Sequence, residues 1–165
     1  MESAISPKPA AQLMLWTYIV GGIGYFVGIF TLQQDPPSLS WAALLAVTVT
    51  GILSFVRHAL FNRSDAVHGG WDYGRRNNFQ IEVGLANLAW GVFALIAVIF
   101  SWGLAAVSAS FLISGLYFLF VAIFIIMTPD TRQRKIGPII GITVWGLMMV
   151  VMGSFGMVAA VNGVA

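Results

Sequence analysis

Five long apolar stretches, separated by shorter polar segments, make up most of the chain. Each stretch has about 20 residues or more, the length that an α-helix needs to cross the hydrocarbon core of a membrane. The pattern predicts spans at about residues 11–32, 40–61, 79–100, 104–127 and 136–161. We therefore predict an all-α fold, a polytopic membrane helical bundle of about five transmembrane helices.

The break between the third and the fourth span is the weakest of the four, because only residues 101–103 interrupt the apolar run. A single helix across this break would have about 48 residues and a length of about 72 Å. The hydrocarbon core of a membrane is only about 30 Å thick. The chain is therefore expected to reverse its direction there. The other connections are clearly polar, and residues 62–78 form the longest of them.

The composition agrees with a hydrocarbon environment. Hydrophobic residues make up 59% of the 165 residues and charged residues 8%, and the mean hydropathy is +0.89. An average soluble domain carries about 25% charged residues. The chain contains no cysteine, which excludes disulfides and thiol chemistry. The first apolar run is longer than a signal-peptide core of about 7–15 residues, so we expect it to remain as a helix.

Lysine and arginine concentrate in the connections after the second and fourth spans, at Arg63, Arg75, Arg76, Arg132, Arg134 and Lys135. The connections after the first and third spans carry neither residue. The positive-inside rule then places residues 1–10 in the cytoplasm as a short N-terminal segment and the C-terminus outside. Residues 11–165 are expected to form one transmembrane bundle in a cell inner (plasma) membrane. This topology accounts for the net charge of +2, and nucleic-acid binding is not expected.

A carboxylate stands near the start of the third span, although the chain carries few charges. Glu82 lies within about one helical turn of the start, on the side expected to be cytoplasmic. It can form an ion pair with Arg57, Arg75 or Arg76, at the positive N-terminal end of its helix. Alternatively, it faces an internal cavity and binds a proton or a ligand, as intramembrane carboxylates often do. A third possibility is simple exposure at the membrane interface.

Deeper in the same span, Gly84, Asn87 and Gly91 fall on one stripe of the helix. Small residues let a neighbouring backbone approach closely, and an amide can hydrogen-bond across the contact. We interpret the stripe as a helix-packing surface. Asn87 and the adjacent Trp90 are also candidates for ligand binding, together with Glu82 and His58.

His58 follows Arg57 at the end of the second span, and neutral imidazole is a common metal ligand. The candidate donors His58, Asp65, His68, Asp72 and Glu82 have suitable chemistry, but their spacing matches no metal-binding motif with a known mechanism. We therefore predict no metal site and interpret both histidines as interfacial residues that form hydrogen bonds. The sequence requires no cofactor.

Two pairs of glycines have the spacing of a close helix contact. Gly24 and Gly28 lie in the first span, and Gly137 and Gly141 lie in the fifth. The spacing predicts close packing of these helices, either within the bundle or between protomers.

The segment FQIEVGLANLAWG, residues 79–91, resembles the Phe-Gln-x-Glu-x-Gly-x-Ala-Asn-Leu-Ala-x-Gly signature of a family of small, uncharacterised bacterial multi-pass membrane proteins. The matching positions are Gln80, Glu82, Gly84, Asn87 and Gly91. Upstream, the family carries a Gly-His pair, of which this chain shares only His58. The segment is more distantly similar to the DoxX-like group of four-helix membrane proteins. The resemblance implies a helical bundle in a bacterial inner membrane and assigns no activity.

Three functions are compatible with the sequence. The first is a non-enzymatic membrane protein, an accessory or structural subunit of a larger membrane assembly or a small homo-oligomer, whose partners are the lipid bilayer and other membrane subunits or itself. The second is a binder or carrier of a small apolar ligand such as a quinone, pigment or lipid, with Glu82, Asn87 and His58 at its polar end. The third is a membrane enzyme that uses Glu82 and His58 as acid and base. We favour the first, because packing motifs are abundant and no GxSxG, Walker or GxGxxG pattern occurs.

Overall fold

A computed structural model describes residues 5–70, 76–127 and 136–163, which form helices and connections and contain no β-strand. The helices are α1 Lys8–Thr31, α2 Ser40–Leu60, α3 Asn62–Gly69, α4 Asn78–Ile99, α5 Gly103–Met127 and α6 Ile136–Val161. All except α3 are long and apolar enough to cross a membrane. The all-helical prediction and the number of candidate spans are confirmed, whereas the direction in which the termini face stays a prediction.

Consecutive long helices run antiparallel. Gly24 of α1 lies against Ala46 of α2, and Gly28 lies against Ala42, so that the numbering rises along one helix as it falls along the other. The same relation holds between α2 and α4 and between α5 and α6. The start of α1, the whole of α3 and the facing ends of α5 and α6 therefore share one end of the bundle, which we call the α3 end. The connections around residues 32–39 and 100–102 lie at the opposite end.

The centre of the bundle is built from small side chains, and many large ones point outward. Ala42, Ala43, Ala46, Ala94 and Ala97 are fully buried, and Phe111 is the largest fully buried side chain. The outward-facing residues include several aromatic side chains that are more than half exposed: Phe26, Phe30, Phe120 and Phe155. In lipid no hydrophobic force drives helices together, so close packing of small residues has to do so. The distribution is therefore the one expected of helices surrounded by hydrocarbon.

Residues 62–69 were expected to belong to a polar connection, and the structure instead places helix α3 there. Before it, α2 widens into a π-helical turn at Val56–Leu60, which ends when the Phe61 N–H bonds to the Val56 carbonyl five residues back. After it, Gly70 adopts a left-handed conformation with φ 76°, which suits glycine and ends the helix. An eight-residue helix of mostly polar composition has no apolar stripe, so hydrophobic periodicity does not reveal it.

The contact between α1 and α2 generates a stability prediction. A Cβ atom at Gly24 would lie 2.7 Å from the backbone nitrogen of Ala46, which cannot move aside without shifting α2. Gly24→Val is therefore expected to lower the free energy of unfolding by about 1–3 kcal/mol, as overpacking does elsewhere. Reversible unfolding in mixed micelles with increasing dodecyl sulfate measures this change. Gly22→Val is the matched control, because a Cβ there meets nothing within 4 Å. Equal losses in the two variants would contradict the proposed contact.

Candidate functional site

Four polar side chains from three helices meet in the interior at the α3 end. Arg57 and His58 come from the last turn of α2, Asp65 from α3 and Gln80 from the first turn of α4. His58 Nδ1 lies 2.7 Å from Asp65 Oδ2, and Arg57 Nη2 lies 2.6 Å from His58 Nε2. Gln80 Nε2 donates a hydrogen bond to the same Asp65 oxygen. We call these four residues the Arg57–Asp65 network.

The geometry fixes the protonation of His58. A guanidinium can only donate hydrogen bonds, so the Nε2 atom that faces Arg57 has to accept one. The proton of the neutral imidazole then lies on Nδ1, which donates to Asp65. The network thus contains one cation, one anion and one neutral imidazole between them, and its formal charges cancel.

Arg57 and Asp65 also interact directly. Arg57 Nε lies 3.4 Å from Asp65 Oδ1, and the two side chains are 17% and 6% exposed. This contact is an ion pair without hydrogen-bond alignment, because Nε is buried with no hydrogen-bond partner. Burial acts to raise the pKa of Asp65, but the hydrogen bond from His58, the charge of Arg57 and the Gln80 amide together outweigh burial. The pKa of Asp65 therefore lies below its ordinary value, and the carboxylate stays ionised.

Helix α3 is attached to the start of the chain as well. The Ser64 hydroxyl donates to the Ser6 carbonyl over 2.7 Å, and the Ala10 N–H donates to Ser64 Oγ over 3.3 Å. Ala10 lies in the first turn of α1, where backbone N–H groups have no partner within the helix. Ser64 satisfies one of them. Adjacent side chains of α3 thus join it to α1 through Ser64 and to α2 and α4 through Asp65.

Glu82 does not pair with Arg57. The Glu82 side chain is exposed, and it stands two residues from both Gln80 and Gly84, which are buried. Two residues correspond to about 200° around a helix, so Glu82 points to the opposite side of α4. Arg57 pairs with Asp65 instead. Arg76 is exposed, and Arg75 lies outside the described residues, as does Asp72.

The glycine and asparagine stripe of α4 faces α2. Gly84 lies against His58 and Ala59, and Gly91 lies against the Thr48 carbonyl. The Thr48 hydroxyl donates to the Gly91 carbonyl over 3.0 Å, which is a direct hydrogen bond between the two helices. A Cβ at Gly51 would lie 2.6 Å from the Asn87 carbonyl oxygen, so the two backbones approach closely at this level.

Asn87 and Trp90 border a small, partly open cavity between the helices. Asn87 is buried, and its amide nitrogen donates to the Val83 carbonyl over 2.7 Å. The Trp90 ring packs edge-on against Tyr117 of α5, with 4.5 Å between ring centroids. The cavity has a volume of about 10 Å³ and lies between α2, α4, α5 and α6. His58 lies one helical turn from Ser54, which also lines this cavity, whereas Glu82 is not among its lining residues.

The arrangement neutralises charge and presents no free reactive group. Both ring nitrogens of His58 are engaged, and Asp65 Oδ2 accepts two hydrogen bonds. An acid–base pair needs its two members within hydrogen-bond reach of a common substrate, and Glu82 points away from His58. Within the described part of the chain, no group of three His, Cys, Asp or Glu side chains comes together in a way that could hold a metal ion.

Sequence reasoning did not identify the partner of Arg57. Asp65 was considered only as a metal ligand, and Gln80 only as a position shared with the family signature. The one available signal is the spacing of seven residues between His58 and Asp65, which equals about two helical turns. That signal is weak, because the helix is interrupted at Phe61 between them.

The network predicts that substitutions at two acidic residues, Asp65 and Glu82, differ greatly in their effect on the free energy of unfolding. Asp65→Asn leaves the Arg57 charge buried without its counter-ion, which typically costs about 3–5 kcal/mol. Glu82→Gln, in an exposed side chain, is expected to change the free energy of unfolding by less than about 0.5 kcal/mol. Dodecyl sulfate titration of both purified variants measures the difference. The double variant Arg57→Gln/Asp65→Asn removes both charges and should recover part of the loss. Similar effects of the two single variants would contradict this assignment.

The lowered pKa of Asp65 also predicts a dependence of stability on pH. A carboxyl whose folded pKa is depressed stabilises the fold fully above its unfolded pKa, about 3.9, and loses that contribution as the pH falls through the folded pKa. The difference in unfolding free energy between wild type and Asp65→Asn should therefore be constant from about pH 7 to pH 5 and shrink below about pH 4. Unfolding titrations of both proteins across this range test whether the stability difference shrinks as the pH falls. A difference that grows at lower pH would contradict the lowered pKa of Asp65.

Comparison with known proteins gives a family and no activity. A model of the DUF6790 family, described as a family of unknown function, matches residues 11–153. No curated protein and no solved structure shows a significant match. The expectation of an uncharacterised family is confirmed, whereas the short signature and the distant similarity to DoxX-like proteins stay predictions. Because the match covers most of the chain and includes four of the five candidate spans in full or nearly so, this protein belongs to the DUF6790 family of unknown function.

Proposed function

We propose that this protein is a non-enzymatic integral membrane protein that works as part of an assembly, either as a small homo-oligomer or as an accessory subunit beside other membrane proteins. In this proposal the bundle lies in a bacterial inner membrane with its α3 end facing the cytoplasm. The lysines and arginines that follow α2 and α5 in the sequence support that orientation, because both helices end at the α3 end.

The non-enzymatic part of the proposal rests on the Arg57–Asp65 network. Intramembrane ionisable residues often mark a functional site, and here Arg57 pairs with Asp65 while both ring nitrogens of His58 are engaged within the network. A structural role at the α3 end requires only that these charges are paired and that α2, α3 and α4 are held together. A carrier of an apolar ligand has less support, because a cavity of about 10 Å³ beside Asn87 is far smaller than a quinone or a pigment.

The assembly part of the proposal rests on one observation, the uncovered glycine pair of α6. Gly137 is exposed, and a Cβ there would meet nothing within 4 Å among the described residues. A Cβ at Gly141 would meet only the Tyr18 hydroxyl, at 3.6 Å, an ordinary contact. By contrast, Gly146, Gly153 and Gly156 of the same helix are buried against its neighbours. The spacing of a close helix contact is thus present at the start of α6, and among the described residues only the Tyr18 side chain of α1 reaches it.

The oligomeric state in a lipid nanodisc or a mild detergent tests this proposal. Leucine at Gly141 would fill the groove that a second helix needs, so Gly141→Leu is expected to weaken self-association at least about tenfold, or about 1.4 kcal/mol. Gly22→Leu is the control, because Gly22 also has open space around it but lies on α1. Native mass spectrometry and light scattering across a concentration series measure the association.

Two outcomes would contradict the proposal. One is a wild-type protein that is monomeric at all concentrations and co-purifies with no other membrane protein. The other is equal weakening by Gly141→Leu and Gly22→Leu, which would show that the start of α6 is not the contact. A Soret or carotenoid absorption band in the optical spectrum of the same preparation would instead favour a carrier of an apolar ligand. An extractable quinone would do the same.

A further inference from the structure

We propose that the cavity at the end of the bundle opposite the α3 end binds the uncharged glycerol–ester part of a membrane diacyl lipid. The cavity has a volume of about 160 Å³, is partly open, and lies between the connection before α2, the end of α4 and the start of α5. A cavity of about 150 Å³ in another protein holds a benzene molecule, so a glycerol carbon chain with one ester group has a suitable size. The inference rests on the membrane location proposed above and is independent of the proposed assembly.

Serine hydroxyls help to give this cavity a mainly polar surface, in contrast to the small cavity beside Asn87. Ser38 and Ser40 line it from the α2 side, and Ser101 lines it from the turn between α4 and α5. The Ser40 N–H donates to Ser38 Oγ over 3.3 Å, and the Ser38 hydroxyl donates to Ser40 Oγ over 3.4 Å. The hydroxyl hydrogen of Ser40 is then left to donate to a ligand, for which an ester carbonyl oxygen is a suitable acceptor.

The backbone at Ser101 carries this hydroxyl at a steric cost. The Ser101 N–H donates to the Val98 carbonyl over 3.2 Å, and the Trp102 N–H donates to the Ala97 carbonyl over 2.9 Å, a common way to end a helix. Ser101 has a φ of 52°, in the left-handed region that favours glycine at this position. Glycine would form the same two backbone hydrogen bonds without the steric cost. What the serine adds is therefore the hydroxyl that lines the cavity.

Two tryptophans place the cavity near the boundary between lipid and water. Trp41 directly follows Ser40 and is 68% exposed, and Trp102 directly follows Ser101 and is 52% exposed. Exposed tryptophan rings favour the headgroup level of a membrane. The ester groups of membrane lipids lie at the inner edge of this level, so they reach the serine hydroxyls without leaving the bilayer.

The distribution of charge favours the ester part of a lipid over its phosphate. The lysines and arginines that the structure describes all lie at the α3 end: Lys8, Arg57, Arg63 and Arg76. At the opposite end, the described charged residue is the exposed Asp35, and the described residues that line the cavity carry no charge. An anionic group would lose water there without gaining a counter-ion, whereas an ester carbonyl needs only hydrogen-bond donors.

Nuclear magnetic resonance of the whole protein in maltoside micelles, titrated with didecanoylglycerol, tests the site. This probe carries two ester groups and no charge. In wild type we expect saturable shifts of the amide resonances of Ser38, Ser101 and Leu104, which line the cavity. The amide of Ser54, which lines the other cavity, should not shift.

The variant Ser101→Gly separates binding from stability. It removes the hydroxyl and relieves the left-handed conformation, so the thermal midpoint of unfolding should not fall. The affinity for didecanoylglycerol should fall about threefold to tenfold, the range expected for one lost hydrogen bond. Ser154→Ala is the matched control, because Ser154 is an exposed serine of α6 that does not line the cavity. This variant should bind as wild type does.

Three results would overturn the proposal. The first is the absence of a saturable shift in folded wild-type protein. The second is a Ser101→Gly variant that binds didecanoylglycerol as tightly as wild type. The third is an equal shift of the same amides by glycerol or by inorganic phosphate alone, which would assign the cavity to a free polyol or an anion. None of these readouts depends on whether the chains associate, so a failure here is distinguishable from a failure of the proposed assembly.

Discussion

A buried charge in a membrane-embedded bundle is tolerated only when an opposite charge and hydrogen bonds accompany it. Arg57 imposes this condition at the end of α2, and Asp65 meets it. Because Asp65 lies beyond the end of the span, the chain has to bend back at Phe61 and fold residues 62–69 against the bundle. Helix α3, the orientation of His58 and the burial of Gln80 all contribute to neutralising one guanidinium.

The rest of the bundle depends on close backbone contact. Alanines and glycines fill the contacts between α1, α2 and α4, and bulky side chains cover the outside. Most of the buried polar side chains within the long helices are hydroxyls and amides. Thr48 shows how such an atom is satisfied, since its hydroxyl bonds directly to the backbone of a neighbouring helix. Asn87, at the same interface, donates its side-chain amide to the Val83 carbonyl of its own helix.

The spans were predictable, because twenty or more apolar residues have few other structures available to them. The Arg57–Asp65 pair was not predictable, because nothing in the local pattern distinguishes Asp65 from the other polar residues around it. Glu82 stands out in the sequence, because it is the one acid in a long apolar segment. Its position nevertheless falls on the outward side of α4, away from the Arg57–Asp65 network. Periodicity identifies the faces of a helix only when polar and apolar residues alternate clearly, and both sides of α4 are apolar apart from a few positions.

The short distances along the chain between members of the Arg57–Asp65 network affect the order in which the bundle assembles. His58 and Asp65 are only seven residues apart, whereas Gln80 joins from fifteen residues beyond Asp65. Closing so short a loop loses little chain entropy, so the ion pair can form as soon as α2 and α3 have been made. In the membrane location proposed above, the guanidinium is then paired before the later helices are added, and α4 packs against a surface whose charges already cancel.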